Sequence, residues 1–403
     1  MACDALAVHR HWHVLETPRL RAARRSRGRN GIQTTNFHEH LLPIQRLVKT
    51  YTLSCLVSLA LLAVTGCARA SGDDTSAAGI TRADTLRVQG AGATFPYPVY
   101  TRWFSSFART GGARINYQSV GSGAGLRALR AGLVHFAATD VPLSAPERDS
   151  LSAQGMRLVP LVVGGVAITY HVPALARQLR FDGVTLGDIF RGRIAMWDNP
   201  RLVALNPDVT LPHRRIRVIT RSDTSGTSWI LTEYLAGQNA AWAASPGRSA
   251  FPAWPVGTSV QGNEGVAAEI KATEYSFGAV EAVYATQNRL QVARIRNHAG
   301  AWVTPQTGAL RAAASAMLGS IDDSVEFVSS ISDAPGELSY PIASLSWLIV
   351  PTRPRDDAHV QAMHAFVRWA LEYGRDEALA VGYTPLPDAM RAALLKAWST
   401  ATP

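Results

Sequence analysis

Past residue 67 this 403-residue chain has no cysteine; Cys3, Cys55 and Cys67 are its full complement. The body of the protein therefore carries neither a disulfide nor a thiolate metal site. Lysine is nearly as scarce, three residues against 37 arginines, a bias of genome composition rather than of chemistry. There is no Gly-Lys-[Ser/Thr] phosphate loop, no Gly-x-Ser-x-Gly nucleophile elbow and no aspartate cluster suited to magnesium. Internal repeats are also missing. A large charge excess is absent once the amino terminus is set aside: the first 66 residues hold nine Lys and Arg against three Asp and Glu, the remainder 31 against 27. The net charge of +10 is thus mostly terminal and does not call for nucleic acid as a partner. With 47% hydrophobic and 17% charged residues the chain can bury ordinary cores, and its length suggests about two domains.

Arg46 and Lys49 precede an apolar run from Leu53 to Val64, closed by Val64-Thr65-Gly66-Cys67. Such a run has the length of a signal-peptide core and is short for a membrane span. It resembles a bacterial lipoprotein signal with its lipobox, which implies cleavage before Cys67, lipidation of that sulfur and an extracytoplasmic, periplasmic location anchored to a bacterial membrane. Residues 1–45 fit no part of such a signal. They hold an arginine cluster (Arg21, Arg24, Arg25, Arg27, Arg29) and the alternation His9, His11, His13. The expectation is a mis-assigned start, with translation beginning between Leu41 and Val48. No carboxylate or cysteine of matching spacing supports the histidines, so no metal is assigned to them. Residues 46–66 then form the signal peptide, and 67–83, rich in Ser, Gly and Asp, a flexible tether.

The folded part is expected to start near Asp84. Leu86-Arg87-Val88-Gln89-Gly90 is a short strand; Val99, Trp103, Phe104 and Phe107 follow at helical spacing, with Pro96 at the helix start. Arg114 to Gln118 alternates as a second strand. A glycine turn then precedes Leu126, Leu129 and Leu133 on one helical face, and Phe136 to Thr139 makes a further strand ending at Asp140. This rhythm predicts an α/β domain with a mostly parallel sheet. The apolar stretch Val159–Tyr170 is suited to crossing into a second unit, which holds a strand around Ile216–Ile219 and a helix with Ile230, Leu231, Tyr234 and Leu235 on its buried face. Tyr340 to Val350 reads as the return crossing, and helices over 357–373 and 387–398 complete the first unit. The expected boundaries are 84–165 plus 338–403 for one lobe and 166–337 for the other, with a hinge and a cleft between them.

Three stretches place small hydroxyl or glycine residues just ahead of an amphipathic helix: Ala93-Thr94-Phe95-Pro96, Gly121-Ser122-Gly123-Ala124-Gly125 and Arg221-Ser222-Asp223-Thr224-Ser225-Gly226-Thr227-Ser228. First-turn N–H groups lack internal partners and carry partial positive charge, so each stretch can receive an anion without lysine. Around one tetrahedral oxyanion, the hydroxyls of Ser122, Ser225 and Thr227 and the backbone N–H groups near Phe95 and Gly226 donate, and Arg221 supplies a charged fork. Asp223, two residues on, holds that guanidinium. Asp140 is out of place beside an anion unless the anion carries a proton, which it can accept; phosphate does so at neutral pH and sulfate does not.

The runs Gly90-Ala91-Gly92-Ala93-Thr94-Phe95-Pro96, Gly121-Ser122-Gly123, Ala138-Thr139-Asp140-Val141-Pro142-Leu143-Ser144, Met196-Trp197-Asp198 and Ser225-Gly226-Thr227-Ser228 resemble the phosphate-binding proteins of the high-affinity phosphate ABC transporter, from about Leu86 to Trp398. The resemblance implies a type II periplasmic-binding-protein fold: two α/β lobes joined by two crossover strands, closing over phosphate and delivering it to a membrane permease with its ATPase. Carried over, the ligand set is Thr94, Phe95 through its backbone, Ser122, Asp140, Arg221, Ser225, Gly226 and Thr227. No catalytic residue, metal or cofactor is implied, and the expected state is a monomer. This sequence departs from the pattern at Gly123, where many relatives have serine, at Thr224, where glycine is common, and at Gly278-Ala279-Val280-Glu281, where an aromatic version is usual. Rival readings are a receptor for arsenate, sulfate or molybdate, and an extracytoplasmic phosphohydrolase with Ser225 or Thr227 as nucleophile. The hydrolase lacks a histidine in any of the three motifs.

Overall fold

The computed structural model of the chain describes residues 86–175, 177–318, 330–352 and 357–401. The expectations for residues 1–83, Cys67 included, fall outside the described residues. The fold opens with β1 (Arg87–Gly92), α1 (Tyr97–Arg109), β2 (Arg114–Ser119), α2 (Ser122–Arg130), β3 (Phe136–Thr139) and α3 (Ala145–Ala153) before the 16-residue β4 (Met156–His171). Helix α1 forms because Val99, Trp103, Phe104 and Phe107 return to one face, all of them buried. Helix α2 is shorter than its leucine spacing predicts. It stops at Arg130, Gly132 turns the chain at φ 68°, and Leu133 lies beyond the helix, 74% exposed.

Next come β5 (Arg180–Phe181), α4 (Gly183–Phe190), α5 (Pro200–Leu205), β6 (Arg217–Arg221), α6 (Gly226–Gln238), α7 (Ala240–Ala244), β7 (Thr258–Val260), α8 (Gly262–Ala272), β8 (Ser276–Glu281) and α9 (Ala282–Gln287). Three short strands, β9 (Gln291–Val292), β10 (Arg294–Arg296) and β11 (Trp302–Val303), lead to α10 (Thr307–Ala316). The chain returns through β12 (Ala343–Pro351), α11 (Ala358–Ala380), β13 (Thr384–Pro385) and α12 (Asp388–Ala401). The face of α6 expected to be inward is inward: Ile230, Leu231, Tyr234 and Leu235 are all buried.

The main sheet runs in the order β2-β1-β3-β12-β4-β8-β6-β7. Its wings are parallel, β1 with β2 and β3, and β6 with β7 and β8. Its centre is not: β12 is antiparallel to β3 and β4, and β4 to β8. The expectation of a mostly parallel sheet is corrected to parallel wings about an antiparallel centre. The cause is connectivity, since the chain leaves along β4 and comes back along β12. Strand β4 changes neighbours midway: Met156 to Gly165 pair with β12, and Val166 to His171 pair with β8.

Helix α11 also outruns its expected end at Tyr373 and continues to Ala380. Gly374 would weaken an isolated helix by about 1 kcal/mol. Here it admits Trp103, whose indole N–H donates to the Gly374 carbonyl at 2.8 Å and whose ring lies where a Cβ would meet it at 2.9 Å. Tertiary packing keeps the helix going where local propensity would end it.

Candidate functional site

In parallel strands the carboxyl ends lie side by side, and an open α/β sheet presents its ligand crevice there. Strands β1, β2 and β3 end at Gly92, Ser119 and Thr139, which delivers Thr94, Ser122 and Asp140 to one edge. On the other wing β6 ends at Arg221, and Ser225 caps α6, its hydroxyl accepting from the Ser228 N–H at 3.1 Å. The two groups of residues meet. A Cβ on Gly226 would lie 2.4 Å from Asp140 Cβ, and one on Gly121, at φ 91°, 2.4 Å from Asp223 Oδ2. The Gly123 N–H donates to the Thr224 carbonyl at 3.2 Å. Ser122, Asp140, Arg221, Ser225, Gly226 and Thr227, with Asp223, therefore gather around one spot, and Thr94, followed by Phe95, joins them through Asn263, whose Nδ2 reaches the hydroxyls of both Thr94 and Thr227.

Arg221 is 4% exposed and is held in the predicted way: Nε donates to Asp223 Oδ1 at 2.7 Å and a terminal nitrogen to Oδ2 at 2.5 Å. Its other terminal nitrogen donates to Thr227 Oγ1 at 3.3 Å. Burial alone would raise the Asp223 carboxyl, but the Arg221 guanidinium and the Gly262 N–H hold it below the ordinary carboxylate range. A cation fixed on one side by its own carboxylate keeps its remaining N–H groups aimed at the cleft.

Asp140 lies in the opposite environment. It is 1% exposed, and burial pushes its pKa up to about 7 against the opposing pull of Ser346, Arg221 and Ser122. The Ser346 hydroxyl donates to Oδ1 at 2.7 Å, and the Asp140 N–H donates to the Ser122 hydroxyl at 3.3 Å. Ser346 was not foreseen. It sits in β12 where the register against β4 shifts, an irregularity that re-aims side chains. A serine within the otherwise apolar run around Trp347 was the available signal.

The first turn of the 94–95 loop is tied from behind. Tyr284 donates to the Thr94 carbonyl at 2.7 Å, and Tyr383 to the Phe95 carbonyl at 2.6 Å. Both carbonyls are thereby satisfied by tyrosine hydroxyls, which pins the loop that carries Thr94 and Phe95. Two further residues escaped sequence reasoning. Asn263, fully buried at the start of α8, donates from Nδ2 to Thr94 Oγ1 at 2.8 Å and to Thr227 Oγ1 at 3.1 Å. Glu281 caps α9, accepting from the Val283 N–H at 2.8 Å, and its burial raises the carboxyl well above the ordinary value. Gly262-Asn263, small residues opening the first turn of α8, could have flagged Asn263.

Two departures from the family pattern meet each other. A Cβ on Gly123 would lie 2.5 Å from Thr224 Cβ, so the threonine fills the space that a serine at 123 would occupy. Met196-Trp197-Asp198 is structural instead: Trp197 is fully buried and donates to the Tyr275 carbonyl, and Asp198 pairs with His213. Among the described residues no cluster of His, Cys, Asp and Glu could hold a metal, and no helix is long and apolar enough to cross a membrane.

Comparison with known proteins points the same way. The PBP superfamily domain matches residues 70–372. Phosphate-binding protein PstS of Xylella fastidiosa (strain 9a5c) is 32% identical over 348 residues, covering 84% of this chain and 94% of that protein. Its counterpart in Pasteurella multocida is 34% identical over 321 residues, covering 79% and 91%. Among solved structures, a high-affinity periplasmic phosphate-binding protein, PfluDING, bound with phosphate, superposes with a TM-score of 0.58 at 22% identity, over 77% of this chain and 93% of that one. At that identity the likeness speaks for the fold, which is the two-lobed architecture expected from the sequence.

Proposed function

The chain belongs to the PBP superfamily and, within it, to the phosphate-binding protein PstS family, and from that membership and the site geometry we propose that it binds one inorganic phosphate and hands it to an ABC-transporter permease and ATPase. The observation that carries this reading is the pairing of a fully buried cation, Arg221, with a fully buried carboxyl, Asp140, across a ring of hydroxyl and N–H donors. A permanently deprotonated anion has nothing to offer an ionised Asp140, whereas an oxyanion that keeps a proton donates to it.

The ligand set is Thr94, Phe95 through its N–H, Ser122, Asp140, Arg221, Ser225, Gly226 and Thr227, with Asp223 supporting Arg221. The lobes are 84–165 plus 338–403 and 166–337. In support, β4 exchanges β12 for β8 as its neighbour between Gly165 and Val166. Carriage rather than catalysis fits the hydroxyls: Ser225 accepts from Ser228, and Thr227 accepts from Arg221 and Asn263. Among the described residues no histidine is a hydrogen-bond partner of either hydroxyl, which supports carriage over nucleophilic attack. A lipid on Cys67 would tether the protein, as a monomer, to the membrane that holds the permease, and intact mass measurement of the mature protein tests that anchor.

Phosphate has few atoms, and the best ligands of that size reach about −1.5 kcal/mol per atom, which sets the expected dissociation constant near micromolar. Calorimetric titration of anion-stripped protein with phosphate and with sulfate tests the function. One-to-one binding of phosphate with little sulfate response is expected; equal binding of both, or of neither, would contradict it.

A further inference from the structure

Asn263 joins the two sides of the site, and its amide can be oriented from chemistry alone. The Glu281 backbone N–H, which can only donate, lies 3.0 Å from Oδ1. The oxygen must therefore face Glu281, and the NH2 group must face Thr94 and Thr227. Thr94 Oγ1 then accepts from Nδ2 at 2.8 Å and from the Asn263 backbone N–H at 3.4 Å. Thr227 Oγ1 accepts from Nδ2 at 3.1 Å and from the Arg221 guanidinium at 3.3 Å. A hydroxyl with both lone pairs engaged has its proton left to give. For Thr227 the proton has an acceptor at hand, since its hydroxyl donates to Asn263 Oδ1 at 3.3 Å through the lone pair that the Glu281 N–H leaves open, so the orientation is strict for Thr94.

The geometry points to Asn263 as a positioning residue for the anion: its side-chain amide and backbone N–H lock the Thr94 hydroxyl as a donor into the site. This inference rests on the oxyanion-receptor reading and adds to it a residue that need not touch the ligand. It also explains why a neutral amide stands there. A carboxylate of the same shape would keep the Glu281 contact but accept from both threonines, turning their lone pairs toward the anion. The ring would lose donors and gain acceptors, next to a new negative charge.

The test is a cycle of dissociation constants, read by calorimetry for phosphate, arsenate and sulfate, on the wild-type protein, Asn263→Ala and Asn263→Asp, each with Thr94 intact and as Thr94→Val. On whichever anion the wild type binds, Asn263→Ala should weaken binding about 10-fold when Thr94 is present and clearly less in the Thr94→Val background, where the hydroxyl it orients is gone. Asn263→Asp should weaken it at least about 100-fold and recover as pH falls and the new carboxyl takes up a proton. Equal losses in both backgrounds would mean a purely structural asparagine and would overturn the inference. If Asn263→Asp does not fold, by thermal melting without anion, the alanine cycle still decides. A wild type that prefers sulfate would sink the phosphate reading while leaving the orientation cycle to be read on sulfate, and one that binds no oxyanion would sink both.

Discussion

Two aspartates border the same site and are treated in opposite ways. Asp223, on the wing built by β6, is bound to Arg221 through both oxygens and receives the Gly262 N–H, and its pKa is pulled down. Asp140, on the wing built by β3, is buried against Gly226 with a serine for its closest partner, and its pKa rises to about 7. Neither side chain differs from the other; a guanidinium at hydrogen-bond distance does. On one wing charge is neutralised in place so that a cation can face the ligand. On the other, in the proposed function, a proton-binding group is kept sensitive to whatever proton the ligand brings.

The contrast is broken most strongly at Asp140. Because its folded pKa lies above the ordinary 3.8, its contribution to stability is complete below that value and is lost as pH rises toward about 7. At about pH 8 the anion-free wild type carries an ionised, desolvated carboxylate, so Asp140→Asn should be more stable there by up to about 4 kcal/mol, the gain vanishing near about pH 4. Chemical denaturation at both pH values checks this; a gain independent of pH would assign it to packing. On the other wing, Arg221→Ala removes the charged fork and leaves the half-buried Asp223 without its cation, with the Gly262 N–H remaining. Phosphate affinity should fall at least about 100-fold, from a loss near 3 kcal/mol, and an unchanged calorimetric constant would remove Arg221 from the site. The smallest effect sharpens where the wings meet. Gly123→Ser should cost about 1–3 kcal/mol of phosphate binding by driving a Cβ into Thr224, and Thr224→Gly in the same protein should return most of it. A double variant no better than Gly123→Ser would show that the two positions do not share that space.

Much of this arrangement was legible in the sequence because it is local. Small residues ahead of a 3.6-residue apolar period mark helix N-termini, and Arg221, Asp223 and Ser225 are close enough along the chain for their contacts to be argued from spacing. What was not legible depends on distance. Asn263 reaches Thr94 across 169 residues and Ser346 reaches Asp140 across 206, so no window of sequence contains either pair. The antiparallel centre of the sheet escaped for a similar reason, since strand direction is set by where β12 re-enters and not by its composition. Local rules failed in two further places. Leu133 keeps the leucine period past the end of its helix, and the helix expected to end at Tyr373 runs on through Gly374, against which Trp103 packs.

The most direct test of the central claim, that Asp140 reads a proton on the ligand, is the ratio of phosphate to sulfate affinity followed by calorimetry from about pH 5.5 to about pH 8.5 in the wild-type protein and in Asp140→Asn. A carboxyl pushed up to about 7 predicts a wild-type preference for phosphate that weakens as pH falls and Asp140 itself becomes a donor, and a ratio in Asp140→Asn that is lower and flatter. A preference for phosphate that is the same in both proteins at every pH would contradict it.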